Sequence, residues 1–166
     1  KHASRTNERA NRELVFETAD CLASMVTWDA KQGTYVLGPP LWIAQEIYDQ
    51  GTSQNPSFEL AYWQWALQTA QTWRERLGLK REEKWDHVIK HLAPVPQKDG
   101  KYVALGSNPD TWDNIDSRHD HPTMLAPLAI VWMVVALRDA PEPEPEPTPA
   151  PAAAPEAVAA DASSSA

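Results

Sequence analysis

The sequence predicts a mainly all-α fold of helices joined by long loops, with short β-hairpins on the connections and a disordered C-terminal tail. Three observations predict it. Apolar residues recur at helical spacing in several separate stretches. Asn, Pro and Gly punctuate those stretches where helices start and stop. From Pro141 onward the chain becomes Pro-Glu, Ala/Pro and Ser runs, which cannot bury a core. The division that follows is a helical domain over residues 1–138 and a tail over 139–166.

In chain order, Arg12 to Val26 carries Leu14, Val15, Leu22, Met25 and Val26 with Ala19 and Ala23 between them, the pattern of an amphipathic helix. Cys21 lies inside it and reads as a small buried apolar residue. As the lone cysteine it forms no intrachain disulfide, and it leaves the redox compartment open. Trp28 to Leu37 places β-formers on either side of a polar, Gly-containing turn, which predicts a hairpin. Gly38-Pro39-Pro40 ends regular structure. Leu41 to Gln54 has no sustained period and reads as a long loop carrying polar and aromatic groups, where sites tend to lie.

Asn55-Pro56 predicts a helix start, with Asn55 as N-cap and Pro56 as the first helical residue. Glu59 follows in the first turn, Leu60, Trp63, Leu67, Ala70 and Leu77 share one face, and Gly78 is the C-terminal stop. Lys80 to Leu92 predicts a further helix with Trp85, Val88, Ile89 and Leu92 inward, stopped by Pro94 and Pro96. Asp99-Gly100 before Lys101 to Leu105 predicts a tight turn and a short strand. Gly106 to Asp120 reads as a second loop rich in acids and aromatics, and His121-Pro122 as the opening of a last helix reaching about Leu137. The helical segments do not recur at a fixed period, so no solenoid is predicted.

Charge and composition exclude some classes. The 166 residues carry a formal net charge of -8. Five of the 23 acids and no base fall from Pro141 onward, so much of the excess sits in the tail. No basic stripe exists, which argues against a nucleic-acid partner. The apolar run Met124 to Leu137 is too short to span a bilayer comfortably and contains Pro127, so it reads as a buried helix rather than a membrane segment. The chain begins at Lys1 with polar residues and no apolar signal-peptide core. There is no Gly-rich phosphate loop and no GxSxG, which disfavours nucleotide binding and serine hydrolysis; the lone cysteine has no evident catalytic setting.

Three groups compete as the chemical centre. Glu46 stands among Trp42, Ile43 and Tyr48, where partial desolvation would raise its affinity for a proton and suit it to act as a general acid. The competing reading is a solvated loop acid. Glu59 projects either into a pocket or simply toward the helix dipole. Asp116, His119, Asp120 and His121 could ligate a metal, but the spacing is a weak signal that helix capping partly explains. His87 and His91 lie one turn apart, without the HExxH pattern, and read as a solvated helix face. No metal and no cofactor is expected. Of the eight tryptophans, Trp42 and Trp112 fall in loops, where they suit either stacking on sugar rings or packing.

The segments Gly38-Pro-Pro-Leu-Trp-Ile-Ala-Gln-Glu46 and Asn55-Pro-Ser-Phe-Glu59-Leu-Ala-Tyr-Trp-Gln-Trp resemble the six-hairpin glycosidases, which are built on an (α/α)6 toroid. The likeness is closest to uncharacterised fungal and bacterial members and more distant to the disaccharide phosphorylases. It continues through Trp73-Arg-Glu-Arg-Leu-Gly-Leu, Trp85-Asp-His-Val-Ile and Asp120-His-Pro-Thr-Met-Leu-Ala, covering about Arg12 to Leu128. The resemblance implies a carbohydrate substrate and an inverting cleavage in which Glu46 protonates the leaving glycosidic oxygen. It further implies that Trp42, Gln45, Asn55, Glu59, Trp112, Asp120 and His121 lie about the sugar. A full toroid takes six helical hairpins, about twice the number readable here, so an incomplete toroid is expected. The alternative is a non-catalytic helical module that binds carbohydrate or protein, or an inactive truncated product.

Overall fold

The computed structural model describes residues 2–125, with side chains from Arg9 onward. The helix expected to reach Leu137 beyond that point, and the tail over 139–166, lie outside the described residues. Within them the architecture is mixed: four α-helices and two separate two-stranded antiparallel hairpins, with a final 3-10 turn.

Helix α1 spans His2–Met25, starting well before the expected Arg12. Its inward stripe is Val15, Phe16, Ala19, Leu22, Ala23 and the following Val26, residues three or four apart that a 3.6-residue period brings to one side. Cys21 falls off that stripe and is exposed, correcting the expectation that it is buried. Strands β1 (Thr27–Asp29) and β2 (Thr34–Val36) pair with Trp28 opposite Tyr35. The Asp29 carboxylate shapes their turn by accepting the N–H groups of Lys31 and Gln32, and Gly33 sits at φ 67°.

Helix α2 spans Ser57–Arg76. Pro56, not Asn55, occupies the N-cap position, and no side chain caps the helix there. Asn55 is turned to φ 55°, a left-handed backbone that Asn tolerates, and its side chain serves the preceding strand instead. The other end follows the expected stop. Gly78, at φ 74°, donates to the carbonyl of Glu75, and Leu79 donates to that of Arg74, so the last carbonyls of α2 are satisfied by a Schellman arrangement.

Helix α3 spans Glu83–His91, beginning three residues later than Lys80. The cause is Gln71, fully buried on α2, whose amide donates to the carbonyl of Glu82 at 2.8 Å and accepts the N–H of Glu82 at 2.9 Å. Those two bonds hold the chain extended at Glu82 and set the helix start. Strands β3 (Gln97–Lys98) and β4 (Lys101–Tyr102) close around Asp99-Gly100, both at positive φ, the geometry that makes Asp-Gly a favoured hairpin turn. Part of the loop expected over Gly106 to Asp120 is helical. Helix α4 spans Ile115–His119, its N-cap Asn114 accepting the N–H of Asp116. Asn is a strong N-cap, but a helix this short leaves almost no apolar period to read.

The main core lies among α1, α2 and α3: Ala19, Leu22, Ala23, Leu67, Ala70, Trp85 and Val88. A second cluster, Val36, Leu37, Leu60 and Ala93, joins the first hairpin to α2 and to the segment after α3. Two indole N–H groups at the core edge are paired. The indole of Trp85 donates to Asp20, and that of Trp63 to the carbonyl of Leu22. The Arg74 guanidinium lies 5.4 Å from the ring centres of both Phe16 and Trp85, so one cation–π centre touches all three helices. No helix among the described residues is long and apolar enough to cross a membrane.

Candidate functional site

The segment between β2 and α2 is a loop closed at its neck. Asn55 donates its N–H to the carbonyl of Leu37 at 2.9 Å, and its side-chain oxygen accepts the N–H of Leu37 at 3.0 Å. The loop over 38–54 is therefore an Ω-type excursion with its ends held together. Gly38 stands just inside the neck at φ 69°. A Cβ there would lie 2.5 Å from the carbonyl oxygen of Ser53, so only glycine fits.

Inside the loop, backbone bonds from Leu41 to Gln50 and from Ser53 to Asp49 fix its course. Two side chains pin it to the chain between Asp110 and Thr123. The Tyr48 hydroxyl donates to Asp110 at 2.8 Å and lies 2.7 Å from the Ser117 hydroxyl. Desolvation is the main cause that raises the Tyr48 pKa above its ordinary value, which keeps this phenol a neutral donor. Gln45 is fully buried and its carbonyl accepts the Thr123 hydroxyl, while its amide nitrogen has no partner among the described residues. At the neck, Gly106 donates to the Asn55 carbonyl, and the Ser107 hydroxyl accepts the N–H of Gln54. The two loops that the sequence singled out are thus one connected unit.

Within that unit the expected residues separate into displayed and structural. Glu46 follows the buried Gln45 and precedes the pinned Tyr48, so its side chain is carried outward and is exposed. Desolvation of Glu46 by Trp42, Ile43 and Tyr48 is not what the structure has: Trp42 is 62% exposed, Ile43 is buried in the other direction, and Tyr48 is turned to Asp110. The carboxyl with raised proton affinity is Glu59, half-buried in the first turn of α2. Desolvation drives its pKa up, and a bond from its own backbone N–H only partly opposes this.

Asn55 is engaged by the loop neck. Trp112 is partly exposed but donates its indole N–H to the Tyr102 carbonyl, and Lys101 lies over its ring, so it braces the β3–β4 hairpin. Asp120 accepts both the N–H and the ring nitrogen of the exposed His121, and these bonds lower its pKa. Among the described residues no group of three or more His, Cys, Asp or Glu is placed to hold a metal, so Asp116, His119, Asp120 and His121 do not converge.

Sequence reasoning missed the pins. Tyr48, Asp110 and Ser117 are far apart in the chain, and nothing local in any of them announces the contact. It also missed the setting of His87 and His91. They do not stand on a bare helix face but pack with Trp28 and Tyr35 of the first hairpin. No family model and no curated protein matches this chain.

Proposed function

We propose that the chain is a carbohydrate-active protein of glycosidase type, its helices forming part of an (α/α)6 toroid, with Glu46 as the proton donor of an inverting cleavage. The observation that supports this reading is the framed loop. A segment closed at Leu37–Asn55 and pinned through Gln45 and Tyr48 presents Glu46 and the largely exposed ring of Trp42 from the same short stretch. A carboxyl and an exposed indole carried on one pinned loop suit a sugar, whose apolar face stacks on the ring while its glycosidic oxygen takes a proton.

An inverting mechanism also needs a base carboxylate roughly 6.5–9.5 Å from the acid. Glu59 is the second carboxyl to test, since its environment already perturbs it. The experiment is hydrolysis of aryl glycosides and disaccharides, with and without inorganic phosphate, by the wild type, Glu46→Gln and Glu59→Gln. A fall of about 100-fold or more in kcat for Glu46→Gln, with the fold intact, is expected from loss of a general acid. Wild-type turnover in that variant sinks the assignment.

A second reading is supported by an apolar groove of about 260 Å³ between α1 and α2, lined by Leu14, Val15, Leu22, Tyr62, Trp65 and Ala66. Such a lining suits an amphipathic helix better than a sugar. In that reading the chain is a binding module, and Leu14→Glu abolishes partner binding while no glycoside is turned over.

A further inference from the structure

We propose that His87 and His91 of α3, set by the first hairpin, form a two-histidine site for a borderline divalent transition-metal ion such as Cu2+, Ni2+ or Zn2+. The site is independent of the loop that presents Glu46. Residues four apart on a helix lie on one face, and the two imidazole rings are 4.4 Å apart between centres at an interplanar angle of 41°. His91 is the last residue of α3, where the helix dipole favours positive charge, and His87 stands one turn before it.

The hydrogen bonds set both rings for ligation. His91 Nδ1 lies 2.8 Å from the carbonyl of His87. A carbonyl only accepts, so Nδ1 carries the proton, and in the neutral ring the lone pair is left on Nε2. His87 Nδ1 lies 3.1 Å from the Tyr35 hydroxyl, which accepts as readily as it donates. With His87 Nδ1–H donating to Tyr35, both Nε2 atoms are free as ligands. Neither Nε2 is engaged by the two hydrogen bonds that hold the rings. Metal-binding histidines characteristically donate their second N–H to such an oxygen.

Tyr35 is itself held in place. Its carbonyl accepts the N–H of Ala93 at 2.8 Å, which ties β2 to the chain leaving α3. Trp28, opposite Tyr35 in the hairpin, stands edge-on to His91 with ring centres 5.8 Å apart, and its ring centre is 6.0 Å from that of His87. Two imidazoles select ions that prefer nitrogen, with Cu2+ bound most tightly, and exclude Mg2+ and Ca2+. The remaining coordination positions fall to water, since among the described residues no third His, Cys, Asp or Glu converges there.

The test is a metal titration of the whole chain, read as the Trp28 part of the tryptophan fluorescence, taken as the difference between the wild type and Trp28→Phe. Saturable quenching by Cu2+ and more weakly by Ni2+, with none by Mg2+, is expected. His87→Gln and His91→Gln should each weaken it at least about tenfold, Tyr35→Phe should weaken it less, and the double variant His119→Ala/His121→Ala should leave it unchanged. Circular dichroism confirms that each variant is folded. Electron paramagnetic resonance of the Cu2+ complex supplies a second readout: two imidazole nitrogens in the wild type and one in His91→Gln support the site. Unchanged affinity in His91→Gln, quenching that does not depend on Trp28, or fewer than two imidazole nitrogens in the wild type overturns it.

Discussion

At the scale of single residues, Glu59 is the most informative. Its carboxyl is pushed above the ordinary value near 4.5 because ionisation in a half-buried position costs solvation. A carboxyl whose folded pKa exceeds its unfolded one adds stability that is complete below the unfolded value and lost as the pH rises through the folded value. Glu59→Gln removes that loss, so its stability relative to the wild type is expected to improve from about pH 4 to about pH 7. Thermal melts of both proteins at the two pH values check this, and a difference in Tm that does not change with pH refutes it. Position 59 was visible in the sequence as a first-turn acid, but its burial was not. Burial depends on what packs over the helix start, which no local pattern encodes. Glu46 shows the converse: its neighbours in sequence promised an apolar surrounding, but alternate side chains on an irregular loop point different ways.

At the scale of elements, the stops and turns that demand an unusual backbone angle were legible. The Gly78 stop and the Asp99-Gly100 turn depend on backbone angles that few residues accept, so the residue type declares the conformation. The same reasoning failed at Asn55-Pro56. Asn is equally good as an N-cap and as a residue at positive φ, and the distant Leu37, just after β2, decided between them. The start of α3 was set in the same way by Gln71, a buried amide reaching across from α2. For the 38–54 loop, the element-scale prediction falls on Gly38. Gly38→Ala has to accommodate a methyl against the Ser53 carbonyl and a backbone at positive φ. It is expected to destabilise by more than about 1 kcal/mol, measured as a lowered urea midpoint. An unchanged midpoint would mean that the neck is looser than described.

At the scale of the molecule, the three core helices, the first hairpin and the turn of the second were legible in the sequence, but not how the loops join. The helices share a core because their stripes are long and periodic, and that is the signal a single sequence carries best. Leu67 is the centre of that core, fully buried where α2 meets its neighbours. Leu67→Ala is expected to cost about 2–5 kcal/mol, seen as a fall in Tm with far-UV and near-UV signals moving together. Separate transitions would show that the first hairpin and the helices do not unfold as one. The toroid itself was carried by resemblance alone.

The neck at Leu37 and Asn55 has a consequence for how such a protein changes over generations. Closure there is made by the two backbone groups of Leu37 against the backbone N–H and the side-chain oxygen of one residue, Asn55. The excursion is further held by Gly38, Gln45 and Tyr48, which leaves Trp42, Ala44, Glu46 and Ile47 on the outside. Those outward positions are a cassette. New residues can be tried there against a new ligand while the cost to folding stays small, so this stretch is where selection can revise recognition without renegotiating the scaffold.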